Sequence, residues 1–209
     1  MGLQIVTPPS SFPVTLVEAK AQLNVVDADD DDLIEQHIAA ATQALDGPFG
    51  WTGRAIMPQQ WYYYRDGFPG AAGDWVTSAG CGCGTTMTNC SGIEIPLPPL
   101  ATVDQVAYAD PDNPTSYLVM PSTDYAVDNA GYVGWVQPIN GWPSAASSVN
   151  AVRIKFTAGY ASVPADIKQA ILMLVRDYYD QRGEIIVGVS YSTTRAVDAL
   201  INGYRVLTV

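Results

Sequence analysis

The chain has 209 residues, 48% hydrophobic and 15% charged, with 10 Lys and Arg against 21 Asp and Glu, a formal charge of −11. At this length one domain, or one domain carrying a sub-domain, buries roughly 70% of its unfolded surface and needs no disulfide framework. The acidic excess argues against a nucleic-acid binder, because phosphate contacts need clustered Lys and Arg, and here the basic residues are scattered from Lys20 to Arg205.

The opening residues Met1-Gly2-Leu3-Gln4-Ile5-Val6 lack a basic n-region and a long apolar core, and Val6 stands where a myristoylation signal has Ser or Thr. No apolar run approaches the roughly 18 residues that span a bilayer. The expectation is an unexported globular protein without membrane attachment. The first eleven residues, with Pro8-Pro9-Ser10-Ser11, read as an extended arm. Thr15 with Glu18 three residues on predicts a capping box, opening a short helix to Leu23.

The acidic run Asp27 to Asp32 comes next. Its spacing imitates a calcium loop, but the loop glycine is missing and Ile38 stands where the bidentate Glu belongs. Aspartates stacked before Leu33 instead favour the positive end of a helix, and Asp32 with Glu35 reads as a second capping box. That helix is expected over 30–45, with Ile34, Ile38, Ala41 and Leu45 on one face and Gly47-Pro48 ending it. The only histidine, His37, lies on or beside this apolar stripe and reads as a packed residue.

From Met57 to Gly159 the pattern changes to short Trp-, Tyr-, Val- and Ile-rich runs between Pro, Gly, Asn and Asp. This predicts a mostly antiparallel sheet with strands at 60–65, 92–95, 102–109, 116–119, 125–128, 132–136 and 152–157, and a hairpin turn at Asn129-Ala130-Gly131. Residues 68–91 are mainly Gly, Ala, Ser, Thr and Cys, a long excursion with little core of its own. It holds Cys81, Cys83 and Cys90, an odd count that fits neither a disulfide scaffold nor four zinc ligands. Reduced thiols are expected, with a Cys81–Cys90 bridge open under oxidising conditions.

After Pro164 a helix is predicted with Ile167, Ala170, Ile171, Leu174, Val175 and Tyr178 as one stripe, closed by Arg182-Gly183. A short helix over 194–202 and an apolar tail, Tyr204-Arg205-Val206-Leu207-Thr208-Val209, end the chain. The fold class is therefore α+β: a small helical bundle from the N- and C-terminal helices with a central antiparallel β-rich insertion. The expected divisions are 1–58 (arm and helices), 59–160 (β-rich, with the long loop 68–92) and 161–209 (helices and tail), as one structural unit.

Catalytic patterns fail in turn. Gly188-Val189-Ser190-Tyr191-Ser192 nearly imitates a nucleophile elbow but ends in Ser rather than Gly. Gly80-Cys81-Gly82-Cys83-Gly84 lacks the Lys-Ser/Thr of a phosphate loop. No carboxylate pair stands where sequence alone raises a pKa. The aromatic cluster Trp61-Tyr62-Tyr63-Tyr64, with Trp75, Trp135 and Trp142, suits the two faces of a packed sheet better than a sugar platform. No catalytic, cofactor or metal residue is assigned.

The order of several pieces resembles the head–tail connector (adaptor) proteins of tailed bacteriophages and gene transfer agents. They are Pro13-Val14-Thr15-Leu16-Val17-Glu18-Ala19-Lys20 with the acidic helix start, Thr52-Gly53-Arg54-Ala55-Ile56-Met57-Pro58-Gln59, and Asp66-Gly67-Phe68-Pro69. Ile93-Glu94-Ile95-Pro96-Leu97-Pro98-Pro99-Leu100 and Val152-Arg153-Ile154-Lys155-Phe156-Thr157-Ala158-Gly159-Tyr160 with Val163-Pro164-Ala165-Asp166 complete the set. One departure is the insertion 70–91, which separates two elements that lie close together in the family.

The resemblance implies a non-enzymatic virion part without cofactors. It would be a ring, usually of twelve copies, docked on the portal protein and bridging it to stopper or tail-terminator proteins, with DNA passing through its channel without specific binding. Made in the host cytoplasm, it would reside in the particle neck. Tyr204, Arg205, Val206, Leu207 and Val209 are the expected portal-docking residues, and removing 204–209 is expected to spare folding while abolishing incorporation. The other reading of this tail, a strand in the protein's own sheet, stays open. So do a stopper or tail-completion role and, outside virion parts, a carbohydrate-binding module or a carboxylate-pair hydrolase.

Overall fold

A computed structural model describes residues 2–69, 92–180 and 195–206. The chain forms two compact units, Met1–Pro8 with Gln59–Gly159, and Pro9–Pro58 with Tyr160–Val209.

Among the described residues the first unit is all β. Strands β1 (Gly2–Thr7), β2 (Gln59–Arg65), β8 (Val152–Ala158), β4 (Leu100–Ala109) and β5 (Tyr117–Met120) lie in that order, each antiparallel to its neighbour. A smaller sheet orders β3 (Ile93–Ile95), β7 (Gly134–Pro138) and β6 (Tyr125–Asp128). Alternation sets the register: Trp61 faces Phe156 and Tyr63 faces Ile154, all buried, while the intervening Tyr62 and Tyr64 pair with Lys155 and Arg153 on the other face. A one-residue slip would expose the whole buried set, which is why this register is fixed.

The predicted strands all appear, with ends moved by one or two residues. The larger difference is β1, where the sequence suggested an arm. Its partner on β2 lies far along the chain, Leu3 opposite Tyr63 and Ile5 opposite Trp61. Such pairing is tertiary, and the flanking prolines masked it. The expected turn at 129–131 lies between β6 and β7, but the last pair is Asp128 with Trp135, so the loop is wider than a tight hairpin. The Asp128 carboxylate organises it by accepting the Ala130 N–H at 3.0 Å.

The second unit is helical. Helix α1 (Leu16–Leu23) begins at the expected capping box: Thr15 and Glu18 each accept from the other's backbone N–H. Helix α2 (Asp31–Leu45) buries Ile34, Ile38, Ala41 and Leu45, and α3 (Ala165–Asp180) buries Ile167, Ala170, Ile171, Leu174 and Val175. Each large aliphatic contributes roughly 1.5–3 kcal/mol. The short α4 (Arg195–Ile201) adds Val197 and Ile201 to the same core and runs into one 3-10 turn, Asn202–Tyr204.

The expected second capping box is absent. Asp30, not Asp32, is the N-cap of α2, and it makes no side-chain cap bond. Its carboxylate instead accepts from the Tyr179 hydroxyl of α3, a long-range partner that local sequence could not reveal. His37 is half-buried, its ring 6.1 Å from that of Tyr178, as a packed residue should be.

Candidate docking site

The loop after α2 brings the expected docking tail and a second apolar element together. Gly47, with φ 79°, turns the chain out of the helix, a conformation that glycine adopts without cost. The loop then closes on itself: the Gly47 N–H donates to Arg54 O at 2.7 Å, and the Trp51 N–H donates to Ala44 O at 2.9 Å. The buried Thr52 hydroxyl donates to Leu45 O at 2.6 Å, and Asp46 Oδ1 accepts the Ile56 N–H at 2.7 Å. Gly50 permits this closure, since a Cβ there would stand 2.4 Å from Asp46 O.

The loop so fixed carries Phe49, 99% exposed, beside Trp51, 45% exposed. An apolar side chain held out by this many backbone bonds loses little freedom when a partner covers it.

Arg54 is 4% exposed, an unusual depth for an arginine. Its Nε donates to the carbonyl of Tyr204 and its Nη1 to the Tyr160 hydroxyl at 3.3 Å. Val206 then donates its N–H to Thr52 O at 2.9 Å, lying over Gly53, where a Cβ would come within 3.4 Å of the Val206 side chain. Arg205 pairs with Asp198 at 2.9 Å. The Tyr204 hydroxyl donates to Asp166 at 3.3 Å, and burial, then the Asp166 charge, push its phenol above the ordinary value.

Three of the five expected docking residues, Tyr204, Arg205 and Val206, are therefore anchored to their own unit. Leu207 and Val209 lie outside the described residues, as do Cys81, Cys83, Cys90, Trp75, the 188–192 motif and Arg182-Gly183. Removal of 204–209 would strip Arg54 of the Tyr204 carbonyl and Thr52 of the Val206 N–H. The alternative in which the tail joins the sheet does not describe 204–206, whose partners are Thr52, Arg54, Asp166 and Asp198. Neither Phe49 nor Arg54 was singled out in the sequence as functional. A lone Phe between Gly-Pro and Gly was the available signal for the first.

The second candidate surface is the outer face of the five-stranded sheet. Here the Arg153 guanidinium lies between the rings of Tyr62 and Tyr117, 4.9 and 4.6 Å from their centroids. Asp104 accepts from Gln60 at 3.1 Å, Thr157 at 3.1 Å and Thr102 at 2.9 Å, a structural network of neutral donors. Trp142 stacks on the buried Phe68 with centroids 4.5 Å apart, serving the core. Among the described residues no group of His, Cys, Asp and Glu is arranged to hold a metal ion, and no helix is long and apolar enough to cross a membrane.

Residues 13–69 match the phage gp6-like head-tail connector family. No curated protein matches the sequence. Among solved structures, a chain from the neck of an empty gene transfer agent particle, computed with C6 symmetry, is 20% identical. It has a TM-score of 0.71 and covers 100% of this chain and 97% of that chain. A chain from the virion of the native gene transfer agent particle gives the same identity, coverage and TM-score. One from the neck of the native particle, computed with C12 symmetry, has a TM-score of 0.61 at the same identity and coverage. The connector resemblance thus has a sequence match over the first two helices, the loop after them and β2, and the α+β fold is similar to that of a gene transfer agent neck chain over its full length.

Proposed function

We propose that this protein is a structural head–tail adaptor, without enzymatic activity, in the neck of a tailed phage or phage-like particle. Copies form a ring that docks on the portal protein, receives stopper or tail proteins on its other side, and encloses the DNA channel. The observation that carries this reading is the coincidence of two scales of likeness. A head-tail connector family matches residues 13–69, and the fold is similar to that of chains from the necks of gene transfer agent particles. Necks computed with C6 and with C12 symmetry support a ring, and twelve copies fit the C12 case.

Physical features of the chain agree. A net charge of −11 suits a conduit, since phosphate is repelled rather than held. The docking element on this reading is the exposed Phe49–Trp51 loop, with Val206 held beside it by the Thr52 carbonyl. Tyr204, Arg205 and Val206 act as anchors to their own unit, and Leu207 and Val209 are the apolar residues that follow them in the sequence.

Counting this chain in purified DNA-filled particles by quantitative mass spectrometry tests the reading. About a dozen copies is the expected result for a cyclic adaptor at a single vertex. A count near six would instead assign a stopper or tail-completion ring, and absence would remove the virion role. Deleting residues 207–209, or replacing Phe49 by Ala, should leave stability within about 0.5 kcal/mol while lowering incorporation. Normal incorporation of both variants would place portal docking elsewhere.

A further inference from the structure

Cations are paired unevenly over this molecule. Lys20 meets Asp31 at 2.6 Å, Lys168 meets Glu18 at 3.8 Å, Arg176 meets Asp180 at 3.3 Å and Arg205 meets Asp198 at 2.9 Å. Arg153 and Lys155 pair with no carboxylate among the described residues, in a chain with twice as many acids as bases. The two stand side by side, because residues two apart on β8 share a face.

Their surroundings describe what they could receive. Arg153 Nε is buried without a hydrogen bond, and its guanidinium is stacked by Tyr62 and Tyr117. Stacking leaves the edge of a guanidinium available to a carboxylate. Lys155 borders an open cavity of about 410 Å³, shared with Gln105, Met120 and Tyr125. The single acid there, Asp104, is already held by Gln60, Thr102 and Thr157. The face is half-exposed, aromatic and cationic, and suits a ligand that carries carboxylates beside an apolar group.

The chain itself presents such a segment at the turn between α1 and α2. Val26 is 90% exposed there, and Asp27, Asp29 and Asp32 are exposed and make no ion pair among the described residues. The two remaining acids brace the turn: Asp31 holds Lys20, which also donates to Asp27 O at 2.8 Å, and Asp30 accepts from Tyr179. A braced turn loses little entropy on docking.

We infer that the Arg153–Lys155 face of one copy receives the acidic turn 26–32 of the next copy. This rests on the ring reading above. It supplies the two different, complementary surfaces that a head-to-tail closed ring requires. DNA phosphate is the other anion a neck offers, but the field of a chain at −11 opposes it.

The test is a charge exchange in full-length protein, read as copies per particle. One variant carries Arg153→Glu and Lys155→Glu; the other carries Asp29→Lys and Asp32→Lys. Each alone opposes like charges at every contact, and its incorporation should fall at least about tenfold. Expressed together, the two variants alternate around the ring with every contact complementary, and an even number of copies restores the wild-type count. Lys155→Glu alone, paired with Asp32→Lys, repeats the test with less burden on the sheet, and circular dichroism verifies that each variant folds.

Wild-type incorporation of either variant alone would overturn the inference and leave the adaptor reading standing. Loss in both variants without rescue by co-expression would overturn it equally. Normal counts for the Arg153/Lys155 variant in particles that fail to retain DNA would reassign the face to DNA. Absence of the unmodified protein from particles would instead strike at the adaptor reading itself.

Discussion

Replacing Arg54 by Met separates two accounts of a buried cation. Arg54 is 4% exposed, and its fork reaches the Tyr204 carbonyl and the Tyr160 hydroxyl. Hydrogen bonds from a charged donor contribute about 1.5–3 kcal/mol each. Removing the fork while retaining the apolar stem should therefore cost about 2–4 kcal/mol, after allowance for the weaker 3.3 Å bond to Tyr160. The loss should be local to the C-terminal segment. The Val206 N–H, held by Thr52 O at 2.9 Å, is the reporter. A loss of about 2 kcal/mol speeds its hydrogen exchange about thirtyfold if local opening governs it. Arg54→Lys should fall between, because an ammonium keeps the charge without the planar fork. Chemical denaturation and amide exchange measure the two effects. An opposite result is physically available, since a buried charge sometimes costs more than it contributes. Equal or greater stability in Arg54→Met, or unchanged protection at Val206, would refute the reasoning.

Individual contacts set three further expected outcomes. Thr15→Ala should cost about 1 kcal/mol through loss of the capping box. The Glu18 carboxyl is held below its ordinary 4.5, first by the Thr15 backbone N–H and then by the Thr15 hydroxyl. A lowered carboxylate pKa stabilises the fold above the ordinary value, and that contribution is lost as pH falls through the folded value; Thr15→Ala keeps the backbone donor and removes only the hydroxyl, so the hydroxyl's share of the wild-type advantage should shrink in acid titrations below pH 4.5. Phe68→Ala, removing a buried ring stacked on Trp142, should cost about 3–5 kcal/mol in denaturant melts; a cost under about 1 kcal/mol would mean the ring is not packed as described. Gly50→Ala places a Cβ 2.4 Å from Asp46 O and 2.5 Å from Leu45 C, both backbone atoms, so the end of α2 must move. A cost of about 1–3 kcal/mol is expected, and an unchanged melting curve would contradict the tight closure of the loop.

The features legible in the sequence were those that short-range physics determines. The Thr15–Glu18 box and the stripe of α3 lie within a few residues of themselves, and both appear as read. The alternation in Trp61-Tyr62-Tyr63-Tyr64 gave the two faces of β2 because the period of a strand is two. Features set by distant partners stayed hidden. Leu3 and Tyr63 are paired only by the fold, Asp30 meets Tyr179, and Arg54 finds its acceptor 150 residues away. The proposed docking tail shows the same limit: composition marked it as apolar, but only tertiary contacts reveal that its first half, 204–206, is anchored to Thr52 and Arg54.

That anchoring bears on how an adaptor would dock. A free tail of six residues loses conformational entropy at each one when a partner orders it, about 1–2 kcal/mol of backbone freedom per residue. Here Tyr204 and Val206 are already fixed by Arg54 and Thr52, and the Phe49–Trp51 loop beside them is closed by its own hydrogen bonds. On the adaptor reading, most of the ordering cost falls on folding of the helical unit, so a small apolar contact is enough for a specific joint. The same logic makes Arg54 a positioning residue: Arg54→Met should weaken docking even where the global fold survives, whereas Phe49→Ala should weaken docking without loosening Val206. Measuring Val206 exchange in both variants distinguishes the residue that holds the surface from the one that is the surface.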